Sequence, residues 1–429
     1  MSAFQWRSGT DDAVAQSVMA FNSFLRQAKR SVDAVVSEST TLPAAQAVHV
    51  AIGNEAADAD SIVSSLVYAY FKHHSKGGDA AHVYLPVLPI PRDELALRCD
   101  VSALFQKLGL DLSTLVFVDE FPWQHAAFRS GRTRLCLTLL DHNALNMKRI
   151  ALPQGSESVA EIVEILDHHM DLGKHPAASV REIAFADGQA LVASNCTLVA
   201  EKMLDALKRD QTLYALPATL LLAVIGLDSV NFNPSAKKVT PRDITVAEEL
   251  EKAAFASKEA LFEWLQAEKF NPVHWAAFSI WNCLQCDYKE FDVMASKQQQ
   301  YGVSAILIDL DSFVKKAEHK AALMDTLDAY ARQNQLAFLV VMTIFVDANG
   351  ARHRQLLFYE NTDGKGDQSC TRQCVAFLTQ ENSLQLEPME LPSGYADTRL
   401  VAFCQRNVGA SRKQVVPLIQ RALTSQVKL

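Results

Sequence analysis

The chain has 429 residues, 49% hydrophobic and 21% charged, the composition of an ordinary globular protein long enough for two cores. Its formal net charge of -8 excludes a generally basic, nucleic-acid-binding surface, so a polyanionic substrate must be met by local cations or metals. Eight cysteines without paired spacing suit a reducing compartment, and Cys283-Leu-Gln-Cys286 reads as two core thiols because no second such pair accompanies it.

The longest apolar runs, Leu216 to Leu227 and Leu336 to Val346, fall short of the roughly 18 consecutive residues of a membrane span. The N-terminus lacks the basic-then-apolar pattern of a signal peptide. The expectation is a soluble, cytoplasmic protein without membrane contact; the alternative is a peroxisome-like organelle, because Val427-Lys428-Leu429 shares Lys-Leu with the Ser-Lys-Leu signal.

Thr10-Asp11-Asp12 reads as a helix start, with Val14, Val18, Phe21 and Leu25 on one face. Val48 to Ile52 reads as a buried strand, and Ile62, Val63, Leu66, Val67 and Tyr70 have helical spacing, which places Asp58 and Asp60 in a strand-to-helix turn. Two readings of that pair are open: caps of the helix, or ligands at a strand end. His82 to Leu88, Leu115 to Val118, Leu135 to Leu140 and Val159 to Leu166 are the next strands, with intervals that admit crossover helices, so a mostly parallel sheet covered on both faces is expected.

Two of those strands run directly into Asp141-His142-Asn143 and Asp167-His168-His169. Strand ends of one parallel sheet converge on one crevice, so these residues join Asp58 and Asp60 there, as metal or catalytic groups or as hydrogen-bonded core histidines. The apolar helix Ala215 to Leu227 then ends in Asp228, a carboxylate costly to bury without a partner such as a metal.

Asn54-Glu-Ala-Ala-Asp58-Ala-Asp60-Ser61, Asp141-His142-Asn143, Asp167-His168-His169 and Gly226-Leu-Asp228, in that order, resemble the four motifs of the DHH phosphoesterase superfamily. The first motif is similar to that of eukaryotic-type exopolyphosphatases and their Prune relatives, whereas family II inorganic pyrophosphatases have His where this chain has Asn54. Gly409-Ala-Ser411-Arg412-Lys413 resembles the Ser-Arg-Lys motif of the second domain of this subfamily, DHHA2. The resemblance covers roughly residues 45–417.

Asn233 to Asp243, with two prolines and no apolar periodicity, reads as a linker. The expected organisation is a DHH domain over 1–235, a linker over 236–245 and a smaller mixed α/β DHHA2 domain over 246–429. In the second domain Ile244 to Leu265 reads as helical, and Val303 to Leu310, Leu336 to Val346 and Gln355 to Tyr359 as strands.

The resemblance implies two divalent ions, with Asp141 bridging them, Asp58 on the first, and Asp60, His168 and Asp228 on the second. Oxygen and imidazole donors without thiolate suit Mg²⁺, Mn²⁺ or Co²⁺. It implies His169 as the phosphate-facing catalytic histidine, with His142 and Asp167 orienting ligands. Asn54 is the departure: a weak first-metal ligand, or a phosphate contact. Ser411, Arg412 and Lys413 are expected to bind substrate across the cleft, Arg412 as a bidentate fork, with Lys237 and Lys238 as further contacts and Arg352, His353 and Arg354 as guides for a longer polyanion.

The implied activity is removal of terminal orthophosphate from linear inorganic polyphosphate. The alternatives are hydrolysis of pyrophosphate, short-chain or nucleoside polyphosphates, and a Prune-like binding scaffold with weak phosphodiesterase activity. The His168-His169 pair speaks against the scaffold, because Prune proteins typically have Arg at the second His. No nucleic-acid partner is expected, and the sequence sets no expectation for oligomeric state.

Overall fold

A computed structural model of the chain describes residues 11–36, 47–75, 81–145, 159–293, 299–347, 349–361 and 369–424. Thr10 and the terminal Val427-Lys428-Leu429 lie outside the described residues. The chain forms two compact units, Met1–Lys269 and Phe270–Leu429.

The first unit is built on five parallel strands: β1 (Ala47–Ile52), β2 (His82–Val87), β3 (Arg134–Leu140), β4 (Ala160–Asp167) and β5 (Val180–Ile183), in the spatial order β2-β1-β3-β4-β5. The order reverses between β1 and β3, the switch point at which open α/β sheets bind ligands beyond their strand ends. Val48, Val50 and Ile52 join Leu135, Leu137 and Leu139 in one core, while Ala51 and Leu140 face a second core with helices Ala59–Ser75, Asn195–Arg209 and Gln211–Asp228. Both sheet faces are therefore covered, which is why the strands read as near-continuous apolar runs. A two-stranded hairpin, β6 (Phe185–Ala186) and β7 (Gln189–Ala190), follows β5.

Three expectations for this unit need correction. The strand expected at 115–118 is an isolated parallel bridge between Leu88 and Phe117, cut short by the turn in which Glu120 N donates to Phe117 O. Helix Gln211–Asp228 begins before the apolar run and is, by length and composition alone, long and apolar enough to cross a membrane; Tyr214 to Leu227 are buried in the core of this unit.

The third correction concerns the linker. The stretch expected at 236–245 is not the division between the units: Thr240 and Asp243 form a capping box that starts helix Pro241–Glu251, and Asp243 is buried, accepting from Ala193 N at 3.0 Å and Thr197 Oγ1 at 2.7 Å. Val246, Leu250, Phe255, Leu261 and Leu265 extend the first core, so this helix and Lys258–Lys269 belong to the first unit and the break falls after Lys269.

The second unit carries a mixed seven-stranded sheet with the order β13-β14-β12-β10-β9-β8, and β11 pairs with β12. The strands are β8 (Tyr288–Asp292), β9 (Gln300–Ile306), β10 (Leu336–Thr343), β11 (Phe345–Val346), β12 (Arg352–Glu360), β13 (Leu386–Met389) and β14 (Leu400–Gln405), with β9 and β10 parallel and the other pairs antiparallel. The run expected as a strand to Leu310 ends at Ile306, because Asp309 accepts from Ser312 N at 2.8 Å and starts a helix. Tyr301 stacks on Phe338 at 4.9 Å in a core closed by helices Ser369–Gln380 and Arg412–Thr424. Cys283 and Cys286 are buried free thiols, as the sequence suggested.

Candidate metal centre

The turn after β1 is set by a close approach. A Cβ on Gly53 would lie 2.8 Å from Ser61 Cβ and 2.9 Å from Ser61 O, so only glycine lets the strand end meet the start of helix Ala59–Ser75. Asp58 Oδ1 accepts from Ser61 N at 3.1 Å, so Asp58 does cap that helix. Arg98, also buried, braces the turn by donating from Nη2 to Ala56 O at 2.8 Å.

After β3, Asp141 is buried with φ +65, a left-handed conformation that Asp tolerates better than most residues. Its Oδ2 accepts from Asn54 Nδ2 at 2.6 Å and Ser61 Oγ at 3.0 Å. Its Oδ1 lies 3.2 Å from His168 Nε2 and 3.4 Å from His169 Nδ1. Candidate ligand atoms of Asp141, His168 and His169 all fall within 4.8 Å of one another, a group able to hold a metal ion.

Neighbouring contacts prepare the histidines. His168 Nδ1 is 3.1 Å from Val192 O, which makes it the protonated nitrogen and leaves Nε2 as the lone-pair donor. His169 Nδ1 is 2.8 Å from Asp167 Oδ1, while Asp167 Oδ2 accepts from Asn143 Nδ2 at 2.6 Å. Burial alone would raise the Asp167 carboxyl, but the hydrogen bond and charge of His169, the charge of His168 and the Asn143 amide hold it below the usual carboxylate range. His142 is turned aside, its Nδ1 3.0 Å from Leu140 O.

Asp60 has a second task. Its carboxylate accepts from Ser194 Oγ at 2.6 Å and from the backbone N–H groups of Asn195 at 2.7 Å and Cys196 at 2.9 Å, tying helix Asn195–Arg209 to the site. Oδ2 also lies 3.6 Å from His168 Nε2. Burial, then the charge of Asp141, pushes the Asp60 carboxyl up to about 6. Asp228, at the end of its apolar helix, is pushed up to about 7 by burial and then by the charges of Asp60 and Asp58. Its Oδ2 is buried without a hydrogen-bond partner among the described residues. Carboxyls that repel one another and a buried orphan oxygen fit a site completed by cations, and the oxygen and imidazole donors fit hard divalent ions.

The other expected residues fall out differently. Asn54, expected to meet metal or phosphate, is buried: Nδ2 serves Asp141, and Oδ1 accepts from Ala56 N at 2.9 Å. Lys237 and Lys238 are exposed, Lys237 with φ +53. In the second unit, Ser411 shares Gln414 Oε1 between its N and Oγ, both at 2.9 Å, at the start of helix Arg412–Thr424. Lys413 is exposed, and Arg412 donates to Asp287 Oδ1 at 2.6 Å and to Asp287 O at 3.0 Å. The supporting residues Arg98, Ser194 and Asp287 were not read from sequence, because each acts across a long sequence separation with no local pattern.

A buried carboxylate and imidazole group at the switch point of a parallel sheet is the arrangement of a metal-dependent hydrolase. Residues 49–227 match the DHH family, N-terminal domain, and residues 265–422 match the DHHA2 domain. Exopolyphosphatase PRUNE1 of Bos taurus and that of Homo sapiens are each 32% identical over 383 residues, 88% of this chain and 76% of theirs. A Schizosaccharomyces pombe protein assigned as an exopolyphosphatase is 28% identical over 94% of this chain and 97% of its own. The fold is that of a Methanococcus jannaschii protein assigned to the family II inorganic pyrophosphatases, with TM-score 0.54 at 17% identity over 88% of this chain and all of the other. The chain belongs to the DHH phosphoesterase family and carries its DHHA2 domain.

Proposed function

We propose that the protein is a metal-dependent exopolyphosphatase that removes terminal orthophosphate from linear inorganic polyphosphate. The observation that carries this reading is the carboxylate and imidazole cluster at the ends of β1, β3 and β4, completed by Asp228, whose repulsion calls for cations. The names of the relatives supply the substrate class. Asp58, Asp60, Asp141, His168 and Asp228 would hold two divalent ions, Mg²⁺, Mn²⁺ or Co²⁺. When bound, such ions supply positive charge to phosphoryl oxygens and lower the pKa of a water from about 16 toward about 7.

The protein's own groups do the positioning. Asn54 and Ser61 fix the Asp141 carboxylate, and Val192 fixes the tautomer of His168. With Nδ1 donating to Asp167, His169 would donate from Nε2 to a terminal phosphate oxygen in its imidazolium form, which the Asp167 carboxylate favours. Arg412 and Lys413 bind the phosphate chain, Arg412 by exchanging Asp287 for phosphate. In the net step a water oxygen bonds to the terminal phosphorus, the bridging P–O bond breaks, and orthophosphate leaves a chain one unit shorter. Free thiols are compatible with a reducing compartment, and the cytoplasm is the compartment proposed for this activity.

Phosphate release from long-chain polyphosphate, tripolyphosphate, pyrophosphate and a cyclic nucleotide, each with and without a chelator, tests the reading. Chelator-sensitive release from polyphosphate is expected. Release from pyrophosphate alone selects the pyrophosphatase alternative, and binding of polyphosphate without release selects the scaffold.

A further inference from the structure

The second unit contains a cavity of about 350 Å³ where β12 begins and β14 ends, lined among others by Phe345, Arg352, His353, Arg354, Gln405 and Arg406. A cavity of this size lies in the range of small-ligand sites. Arg352 and Arg354 are two residues apart on β12, so they project to the same face of the sheet.

The cationic groups of the cavity divide into two kinds. His353 Nε2 is 2.9 Å from Asp347 Oδ2, and Arg406 pairs with Glu387 Oε2 at 2.6 Å, so both meet carboxylates of the same unit. Arg352 and Arg354 have no carboxylate partner among the described residues. Arg354 donates from Nε to Val408 O at 2.8 Å, and its two terminal nitrogens have no acceptor among the described residues. Burial, then the charge of Arg352, pulls the Arg354 guanidinium down to about 10. Arg354 is half-buried, and a partly desolvated cation beside a second one carries a cost that an anion entering the cavity would offset.

The floor of the cavity is tied to the loop that leads to Ser411. Gln405, buried and opposite Arg354 in the β12–β14 register, donates from Nε2 to Asn407 O and Ala410 O, both at 2.7 Å. Arg354 holds the same loop through Val408. The cavity is nevertheless distinct from the Arg412 position, whose guanidinium is engaged by Asp287.

We propose that this cavity is a second phosphate subsite, in which Arg354 and Arg352 hold a non-reacting phosphate of the polyphosphate chain; this rests on the exopolyphosphatase reading above. The planar Arg354 fork presents its two terminal nitrogens to one phosphate. Arg352, exposed at the rim, draws the polyanion in and is screened by salt. A contact with a phosphate remote from the reacting bond is made equally in ground and transition states, so it lowers KM more than it raises kcat.

The test has a binding arm and a kinetic arm, on the full chain. In the first, long-chain inorganic polyphosphate and inorganic phosphate are titrated, with a chelator to stop hydrolysis, against the parent, Arg352→Glu and Arg354→Gln. The subsite predicts a Kd for long-chain polyphosphate at least about tenfold weaker in either variant. In the second, the long-chain KM rises more than the tripolyphosphate KM, and kcat falls less than KM rises.

Arg352 is exposed and carries the test if Arg354→Gln does not fold. Parent-like binding by Arg352→Glu overturns the subsite, as does a parent that binds no polyphosphate. A parent that releases no phosphate but binds polyphosphate in an Arg352-dependent way upholds the subsite and overturns the hydrolase reading. Normal phosphate release with parent-like binding by the variants does the reverse.

Discussion

Asn54 donates from Nδ2 to Asp141 Oδ2 at 2.6 Å and to the Asp141 carbonyl at 3.2 Å, so the turn after β1 sets the direction of the carboxylate after β3. Oδ1 is then left toward His168 and His169. An amide at this position orients a charged group, a role that a catalogue of metal ligands overlooks.

Asn54→Asp tests that relationship with almost no change in shape. It puts an acceptor against an acceptor, losing a charge-assisted hydrogen bond and adding like-charge repulsion inside the fold. The metal-free variant should be less stable by about 2–4 kcal/mol. Divalent ions should narrow the gap, and turnover should fall by about 100-fold or more. Thermal melts with and without Mn²⁺ decide it: an equal Tm for parent and variant in chelator removes the orienting role.

Gly53→Ala probes the close approach beneath the same site. The new methyl would meet Ser61 Cβ at 2.8 Å and the Ser61 backbone oxygen at 2.9 Å, and backbone yields less readily than a side-chain tip. The expected loss is about 1–3 kcal/mol, with lower activity because Ser61 Oγ donates to Asp141. Retention of both Tm and turnover would mean that the turn relaxes freely.

The three motifs that follow strands were legible because their residues lie next to the apolar runs that position them: Asp58 and Asp60 after β1, Asp141 after β3, His168 and His169 after β4. Long-range structure was not. Nothing beside Asp60 announces that it holds the start of a helix at Asn195, and nothing beside Arg412 announces Asp287. The linker was misplaced because Pro234 and Pro241 look like breakers although each sits in the first turn of a helix. An amphipathic helix such as Pro241–Glu251 does not reveal from its own periodicity which of two cores it covers.

Acid stability offers a test away from the metal centre. His49, stacked on Tyr84 at 4.4 Å and 3.0 Å from His82, is lowered to about 4 from 6.5 by burial, then by the charges of His82 and Lys72. A histidine neutral in the folded state and protonated in the unfolded state contributes full stability above pH 6.5, and loses it as pH falls toward 4. Because His49 is partly exposed, the loss is discounted to about 1–2 kcal/mol. His49→Gln should flatten stability against pH across that window without abolishing the slope, since His74 is also lowered to about 4, by burial first. Urea unfolding at a series of pH values measures it, and an unchanged slope in the variant excludes His49 as a contributor.

Arg412 has two possible employments, and Asp287 separates them. The guanidinium takes the Asp287 carboxylate at 2.6 Å and its carbonyl at 3.0 Å, an arrangement that also fixes the start of helix Arg412–Thr424 beside β8. If the same fork binds phosphate during turnover, Arg412→Lys keeps the charge but loses the paired donors, and kcat/KM should fall by about 10–100-fold. Asp287→Asn weakens the resting contact and leaves the fork intact, so it should lower Tm while sparing kcat/KM relative to Arg412→Lys. A purely structural arginine gives a different pattern, in which both variants lose similar stability and retain parental kinetics on tripolyphosphate. Measuring Tm and both kinetic constants for the two variants distinguishes these outcomes, and the second pattern would remove Arg412 from the substrate-binding residues.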